Sequence, residues 1–440
     1  MDLKLLLKPF RLFFLIDTIM VLLVISLTYS TLPYLFLTNS DLYNHYIVSF
    51  VVLLYVVFRF YPNIYFPKKD ILFYLYCAIF IANVISCLVS GAVIVNTAIK
   101  GYLAYFLANV LTYILLYNIY IYNRKCNSFI ESFNNTIRGY FWFCYIALFC
   151  TFSMLIMIEL FHFNPMFNDV TNTCDIFMAG LGTSRTANET FYYPYYMSVV
   201  SVGGEERIDL FHSSGSIYGI FHEPHIMTFM IFPVLFLILI KLKSNMGKIM
   251  IVVIFLMYML CAVSAMNILS VFLLLVLLFC FRKPALSIFV LIFALNGLLL
   301  LLSLDNPLIG FILNKLISGS AEYVINAIIY AFTPKTLFGN MSILDTSQFL
   351  NRDVGTMDIG YLIFLINICF LLVFVYKMLK LNISKDRDIR LIGLSILYFF
   401  LHSFKLITKN YEYTYLIFMI FILNITYEQS IYKAKREFLD

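Results

Sequence analysis

Long apolar runs alternate with short polar breaks along the whole 440-residue chain. A membrane-spanning helix needs about 20 mostly apolar residues. On that length the pattern predicts spans near 13–36, 43–61, 71–96, 101–122, 140–161, 220–240, 249–264, 267–281, 284–302, 357–379, 390–408 and 413–429. Two of these are short and are joined by the tight break Ser264-Ala265-Met266-Asn267. An even number of spans puts both termini on one side of the bilayer. No internal repeat is visible.

The loops between the runs are unequal. Most hold fewer than twenty residues, but 162–219 and 303–356 are long. Long connections without regular structure of their own are uncommon and usually functional. The second loop opens on an apolar stretch, Leu308 to Phe332, whose Lys315, Gly319 and Glu322 argue for a re-entrant or interfacial helix rather than a further crossing.

Charge gives the orientation. Cytoplasmic loops of membrane proteins carry an excess of Lys and Arg. With the spans above, 22 of the 30 Lys and Arg fall on the side of the termini and 8 on the other. A misplaced span would scramble that bias, so the termini are expected in the cytoplasm and the two long loops outside it. Composition agrees: 62% of residues are hydrophobic and only 12% are charged. Soluble domains carry about twice that charge, which excludes a cytosolic enzyme, a disordered chain and a secreted disulfide scaffold. The nine cysteines form no CxxC and mostly sit in apolar runs, where a thiol is a small hydrophobe. The basic start (Lys4, Lys8, Arg11) followed by an apolar run without a small-residue cleavage site reads as a signal anchor.

The groups that could carry chemistry face outward. All six histidines lie in outer loops or the outer halves of spans. The first long loop keeps Arg185 and Arg207 among acidic residues, against the charge bias. Arg binds phosphate bidentately and stays charged when desolvated, although pairing with neighbouring carboxylates is an equal alternative. The densest polar cluster, from His212 to His225, runs into the sixth span. There Glu223 stands beside His222 and His225, with Pro224 suited to a first helical turn. Ionisable groups at membrane depth are costly and are functional candidates by default. The His222-x-x-His225 spacing with one Glu is too few ligands for a metal site, and a helix cap is the plainer alternative. At the tenth span, Arg352 and Asp358 precede Tyr361; near the outer end of the eleventh, His402 and Lys405 share a helical face. No P-loop, Gly-rich nucleotide fingerprint or GxSxG elbow is present. Asp386-Arg387-Asp388 has a DxD spacing but reads as a solvated stretch in a basic cytoplasmic loop.

In combination, twelve spans, two long outer loops, the entry Gly219, Phe221, Glu223, Pro224 and the entry Asp358, Gly360, Tyr361 resemble bacterial O-antigen polymerases of the Wzy type. The resemblance implies an all-α polytopic membrane protein with a GT-C-like fold, shared with O-antigen ligases. It also implies an inverting glycosyl transfer at the periplasmic face of the inner membrane. The growing glycan on undecaprenyl diphosphate is moved onto a lipid-linked repeat unit, without metal or other cofactor. Arg185, Arg207 and Arg352 would grip the diphosphate. Glu223, then His222 or His225, would serve as base, while His212, Asp358, Tyr361, His402 and Lys405 would contact substrate. The implied partners are the undecaprenyl-diphosphate-linked oligosaccharide, the bilayer, a chain-length regulator and a flippase, with no nucleic acid. A ligase of the same fold and a lipid-linked oligosaccharide flippase are the rival readings.

Overall fold

Apolar runs become helices wherever the chain is described, with ends that match the expected spans closely for some and differ by several residues for others. A computed structural model describes residues 3–29, 41–89, 95–162, 190–192, 198–202, 215–221, 224–262, 270–271, 273–274, 326, 328–340, 358–403 and 414–437. The helices are α1 (Leu3–Tyr29), α2 (Asp41–Phe60), α3 (Ile71–Val89), α4 (Val95–Arg124), α5 (Phe129–Thr136) and α6 (Arg138–Phe161). After the first long loop come α7 (Pro224–Lys241) and α8 (Asn245–Ala262), then α9 (Tyr361–Ile383), α10 (Arg387–Ser403) and α11 (Thr414–Glu437). Among the described residues, five stretches are long and apolar enough to cross a membrane: Ile71–Val89, Leu103–Arg124, Arg138–Phe161, Tyr361–Ile383 and Tyr415–Lys433. The protein is therefore a helical membrane protein. The expected span 284–302 lies outside the described residues, as does 267–281 apart from short helical pieces at 270–271 and 273–274. Of the apolar stretch Leu308 to Phe332, only its helical end near 328–332 is described.

Two elements lie outside the apolar pattern. The eight-residue α5 starts at Ser128, whose hydroxyl accepts from the Glu131 amide while the Glu131 carboxylate accepts from the Ser128 amide. This reciprocal cap satisfies donors that a helix start otherwise leaves bare, worth about 1 kcal/mol. In the first long loop, β1 (Thr190–Tyr192), β2 (Val199–Val202) and β3 (Gly215–Gly219) form an antiparallel sheet in the order β1-β2-β3. The chain is thus not purely helical.

Close approach of backbones sets the bundle. A Cβ at Gly139 would lie 2.5 Å from the Thr18 carbonyl oxygen and 2.6 Å from the Leu22 nitrogen, so only glycine lets α6 cross α1. Small residues serve this purpose where lipid supplies no hydrophobic drive between helices. α2 packs on α4, α7 on α10, and α11 on α4, α9 and α10. Pro233 interrupts the hydrogen-bond ladder of α7. One turn before it, the Met230 carbonyl receives the Tyr140 hydroxyl of α6 and, at 3.4 Å, that of Tyr415 of α11. The two hydroxyls also meet at 2.7 Å, tying three helices at one buried point.

The basic segments converge at one end of this bundle. Arg59 at the end of α2 lies 3.6 Å from Asp17 and 4.3 Å from the Phe13 ring of α1. Arg138 stands over Phe14, and Lys241 over Phe141 at 3.8 Å. Arg387 donates to the Leu239 carbonyl at 3.2 Å, and Lys433 pairs with Asp386. Asp386 also accepts from the amides of Asp388 (2.9 Å) and Ile389 (3.2 Å). The DxD stretch expected to be merely solvated is therefore the cap of α10 and an ion-pair anchor.

Candidate functional site

At the opposite end, the three strands form a platform on the last turns of α6. Val200 and Ile217 of the sheet pack with Met154, Leu155 and Ile158 into a separate small core. β3 then delivers the chain to α7 through Gly219, which has a positive φ of 62°. A Cβ there would meet the Thr151 hydroxyl oxygen at 2.5 Å, so both the turn and the approach to α6 require glycine. Ile220 and Phe221 are fully buried, and the Phe221 ring meets Phe143 of α6 edge-on at 5.8 Å. Glu223 and His222 follow immediately but lie outside the described residues, as do Arg185, Arg207, His212, Arg352 and Lys405. His225 is in the first turn of α7, its side chain outside the description.

One turn after His225, Phe229 of α7 faces α10. Its ring lies 5.0 Å from Phe399, 5.1 Å from Tyr415 and 5.2 Å from His402. His402 is fully buried in this aromatic nest, with the Tyr398 ring 5.7 Å away. The fold therefore brings His402 next to the helix that begins with Pro224 and His225. Four residues separate neighbours on one helical face, so His225 and Phe229 occupy successive positions along it.

Asp358 and Tyr361 belong to a second built feature. The Asp358 carboxylate is buried and accepts from the amides of Lys335 and Thr336 at 2.7 Å each and of Gly360 at 3.0 Å. The Thr336 hydroxyl donates to the same carboxylate at 2.5 Å. The Asn340 amide nitrogen of the backbone donates to the Asp358 carbonyl, and the Asn340 side chain accepts from the Asp358 amide. Gly339 and Gly360 both have positive φ, and a side chain on either would strike the other's strand of backbone within 2.6 Å. Burial pushes the Asp358 carboxyl up, but the Thr336 hydroxyl and the amides of Lys335, Gly360 and Thr336 outweigh it and hold it below the usual range. All this capacity is spent on joining the 335–340 turn to the start of α9. Tyr361, by contrast, is 47% exposed. The structure thus gives Asp358 a structural occupation that spacing did not reveal, and leaves Tyr361 open.

Among the described residues, no three His, Cys, Asp or Glu side chains cluster closely enough to hold a metal. No family model matches the chain, and no curated protein or solved structure is significantly similar to it.

Proposed function

We propose that the protein is an O-antigen polymerase of the bacterial inner membrane, working at the face away from its basic end. The single observation that carries this reading is the platform that leads Gly219-Ile220-Phe221 into α7 beside His402 of α10. It supports a fixed outward-facing entry immediately before Glu223, rather than a mobile loop. The separation of the basic end from this entry supports the same orientation. ATP and nucleotide sugars are confined to the cytoplasm, so chemistry at the outer entry needs a lipid-borne activated donor.

The reaction is a substitution at the anomeric carbon of the growing chain. Its bond to the diphosphate oxygen breaks while a hydroxyl of the acceptor unit forms the new glycosidic bond from the opposite face. The hydroxyl proton passes to Glu223, with His222 or His225 as the next candidates; a base of suitable pKa contributes about 10²–10⁴-fold. Arg185, Arg207 and Arg352 stabilise the charge that gathers on the departing diphosphate, a role that positioned cationic donors fill without a metal. In this reading the exposed Tyr361, with His212 and Lys405, contacts sugar, and buried His402 supports the start of α7 from behind.

The direct test is a lipopolysaccharide gel from a strain lacking this gene, with and without complementation. Core carrying a single repeat unit, with the ladder restored by the wild-type gene, is expected. Core without any unit would instead assign a flippase or ligase, and an unchanged ladder would remove all three. In the complemented strain, the Arg185→Ala, Arg207→Ala and Arg352→Ala combination at normal protein level is expected to lose polymer about 100-fold or more.

A further inference from the structure

The basic end holds a cavity that the proposed transfer does not use. The 62–70 turn, α4 and α11 enclose about 600 Å³, lined by Lys68, Lys69, Asp70, Tyr113, Asn424 and Glu428, among others. The turn is held rigidly. The Tyr65 amide donates to the Asn118 side chain at 2.8 Å, and that side chain donates back to the Tyr65 carbonyl at 2.9 Å. We propose that this cavity binds phosphoethanolamine as the head group of a membrane lipid, the ammonium against Asp70 and Glu428 and the phosphate at Lys68 and Lys69.

The floor asks for a donor. Asp70 is only 6% exposed. Its Oδ1 accepts from the Phe73 amide at 3.3 Å, but its buried Oδ2 has no hydrogen-bond partner. A buried acceptor left bare costs about 1–3 kcal/mol, more when charged. Lys377, whose charge acts on Asp70, does not fill the gap: it gives its ammonium to the Asn424 side-chain oxygen at 2.5 Å. Asn424 in turn donates to the Tyr113 hydroxyl at 3.2 Å, and Asp70 Oδ2 is left without a hydrogen-bond partner.

The mouth asks for an anion. Lys68 and Lys69 are both exposed there. Exposed Tyr65 and Phe66 flank them, as aromatic residues do at the depth of lipid head groups. A simple anion would face Glu428 and leave Asp70 Oδ2 bare. A simple cation would ignore both lysines. A primary ammonium two carbons from a phosphate satisfies both walls at once, whereas a quaternary ammonium has no N–H to give to Oδ2. The site is at the opposite end from the proposed glycosyl transfer and does not depend on it.

Native mass spectrometry of the purified full chain, loaded with phosphatidylethanolamine, phosphatidylcholine or phosphatidylglycerol of equal acyl chains, tests this. About tenfold stronger retention of phosphatidylethanolamine than of either other lipid is expected. Asp70→Asn, which still accepts from the Phe73 amide, should abolish the preference over phosphatidylcholine. Lys68→Ala with Lys69→Ala should weaken phosphatidylethanolamine and phosphatidylglycerol together. Soluble phosphoethanolamine that raises the melting temperature of wild type but not of Asp70→Asn, with no lipid preference, would keep the head-group chemistry and overturn the lipid as its source. Equal retention of the three lipids with no effect of the soluble ester would overturn the site. So would an Asp70→Asn protein that keeps the wild-type preference.

Discussion

At the basic end, cations close on acids from neighbouring helices: Arg59 on Asp17, Lys433 on Asp386, with Lys377 locked to Asn424. At the opposite end the anchors are of another kind. Asp358 is held by amides and a hydroxyl, the sheet by apolar contact with α6, and His402 by aromatic rings. Ion pairs between side chains join helices at the first end, whereas backbone amides, a hydroxyl and apolar packing hold the second. This difference implies that the two ends respond differently to mutation and to pH.

The largest effect on the bundle should come from Gly139→Val. Its branched side chain would meet the α1 backbone where even a Cβ is 2.5 Å away, and no flexible neighbour can give. A loss of about 3 kcal/mol or more is expected, read as loss of monodisperse protein in size-exclusion chromatography. Normal yield and melting temperature would mean that α1 and α6 do not cross this closely.

Next comes Asp358→Ala, which strips the acceptor from three amides and the Thr336 hydroxyl. About 3 kcal/mol of destabilisation is expected, with Asp358→Asn intermediate. Because its carboxyl is held below the usual range, this contribution is complete above the ordinary value of 3.8 and fades only as pH falls through the lowered one. Melting curves of wild type and Asp358→Ala should therefore be well separated at pH 7 and draw together in strong acid. Parallel separation at all pH values would deny the charged form its role.

Asp70 has the opposite sign. Burial raises its carboxyl to about 6, against the lowering effects of Lys377, the Phe73 amide and Asn424, with Glu428 adding to the rise. The folded state holds that proton more tightly than the unfolded chain, so stability is lost as pH rises from about 4 to about 6. In detergent without phosphatidylethanolamine, Asp70→Asn should stabilise the fold at pH 7.5 by about 3 kcal/mol at most, read as a higher melting temperature, and change it little at pH 4. A lower melting temperature at pH 7.5 would break the assignment of a strained floor. The smallest effect belongs to Lys433→Ala. Its partner Asp386 also caps α10, and the lysine side chain is 49% exposed, so about 0.5 kcal/mol is expected.

How much of this could be read in advance divides along range of interaction. The expected spans 43–61 and 140–161 match α2 and α6 within two residues, because twenty apolar residues in a row leave helix as the only way to satisfy the backbone. The expected start at 357 became Tyr361, since Gly360 with its positive φ ends the turn before the helix begins. α5 had a legible signal in Ser128 and Glu131, three apart, but too few apolar residues to register as a span. The strands were harder: the Val199-Val200-Ser201-Val202 run is short, and its packing on Met154 and Ile158 spans more than forty residues of chain. The Asp358 junction and the Asp70 cavity depend on partners 22 and hundreds of residues away, Thr336 and Asn424. His402 was legible as an unusual residue for a span, though not as the neighbour of Phe229.

The central claim is that the outer entry transfers glycan from a polyprenyl diphosphate. The most direct measurement uses purified protein in proteoliposomes with the undecaprenyl-diphosphate-linked repeat unit of its own strain, scored by mass spectrometry of the lipid-linked products. The account predicts units joined two and more in length, with one undecaprenyl diphosphate released per linkage, and their loss in Glu223→Gln. Single units left unjoined, or unchanged elongation by Glu223→Gln and by the triple Arg variant, would contradict it.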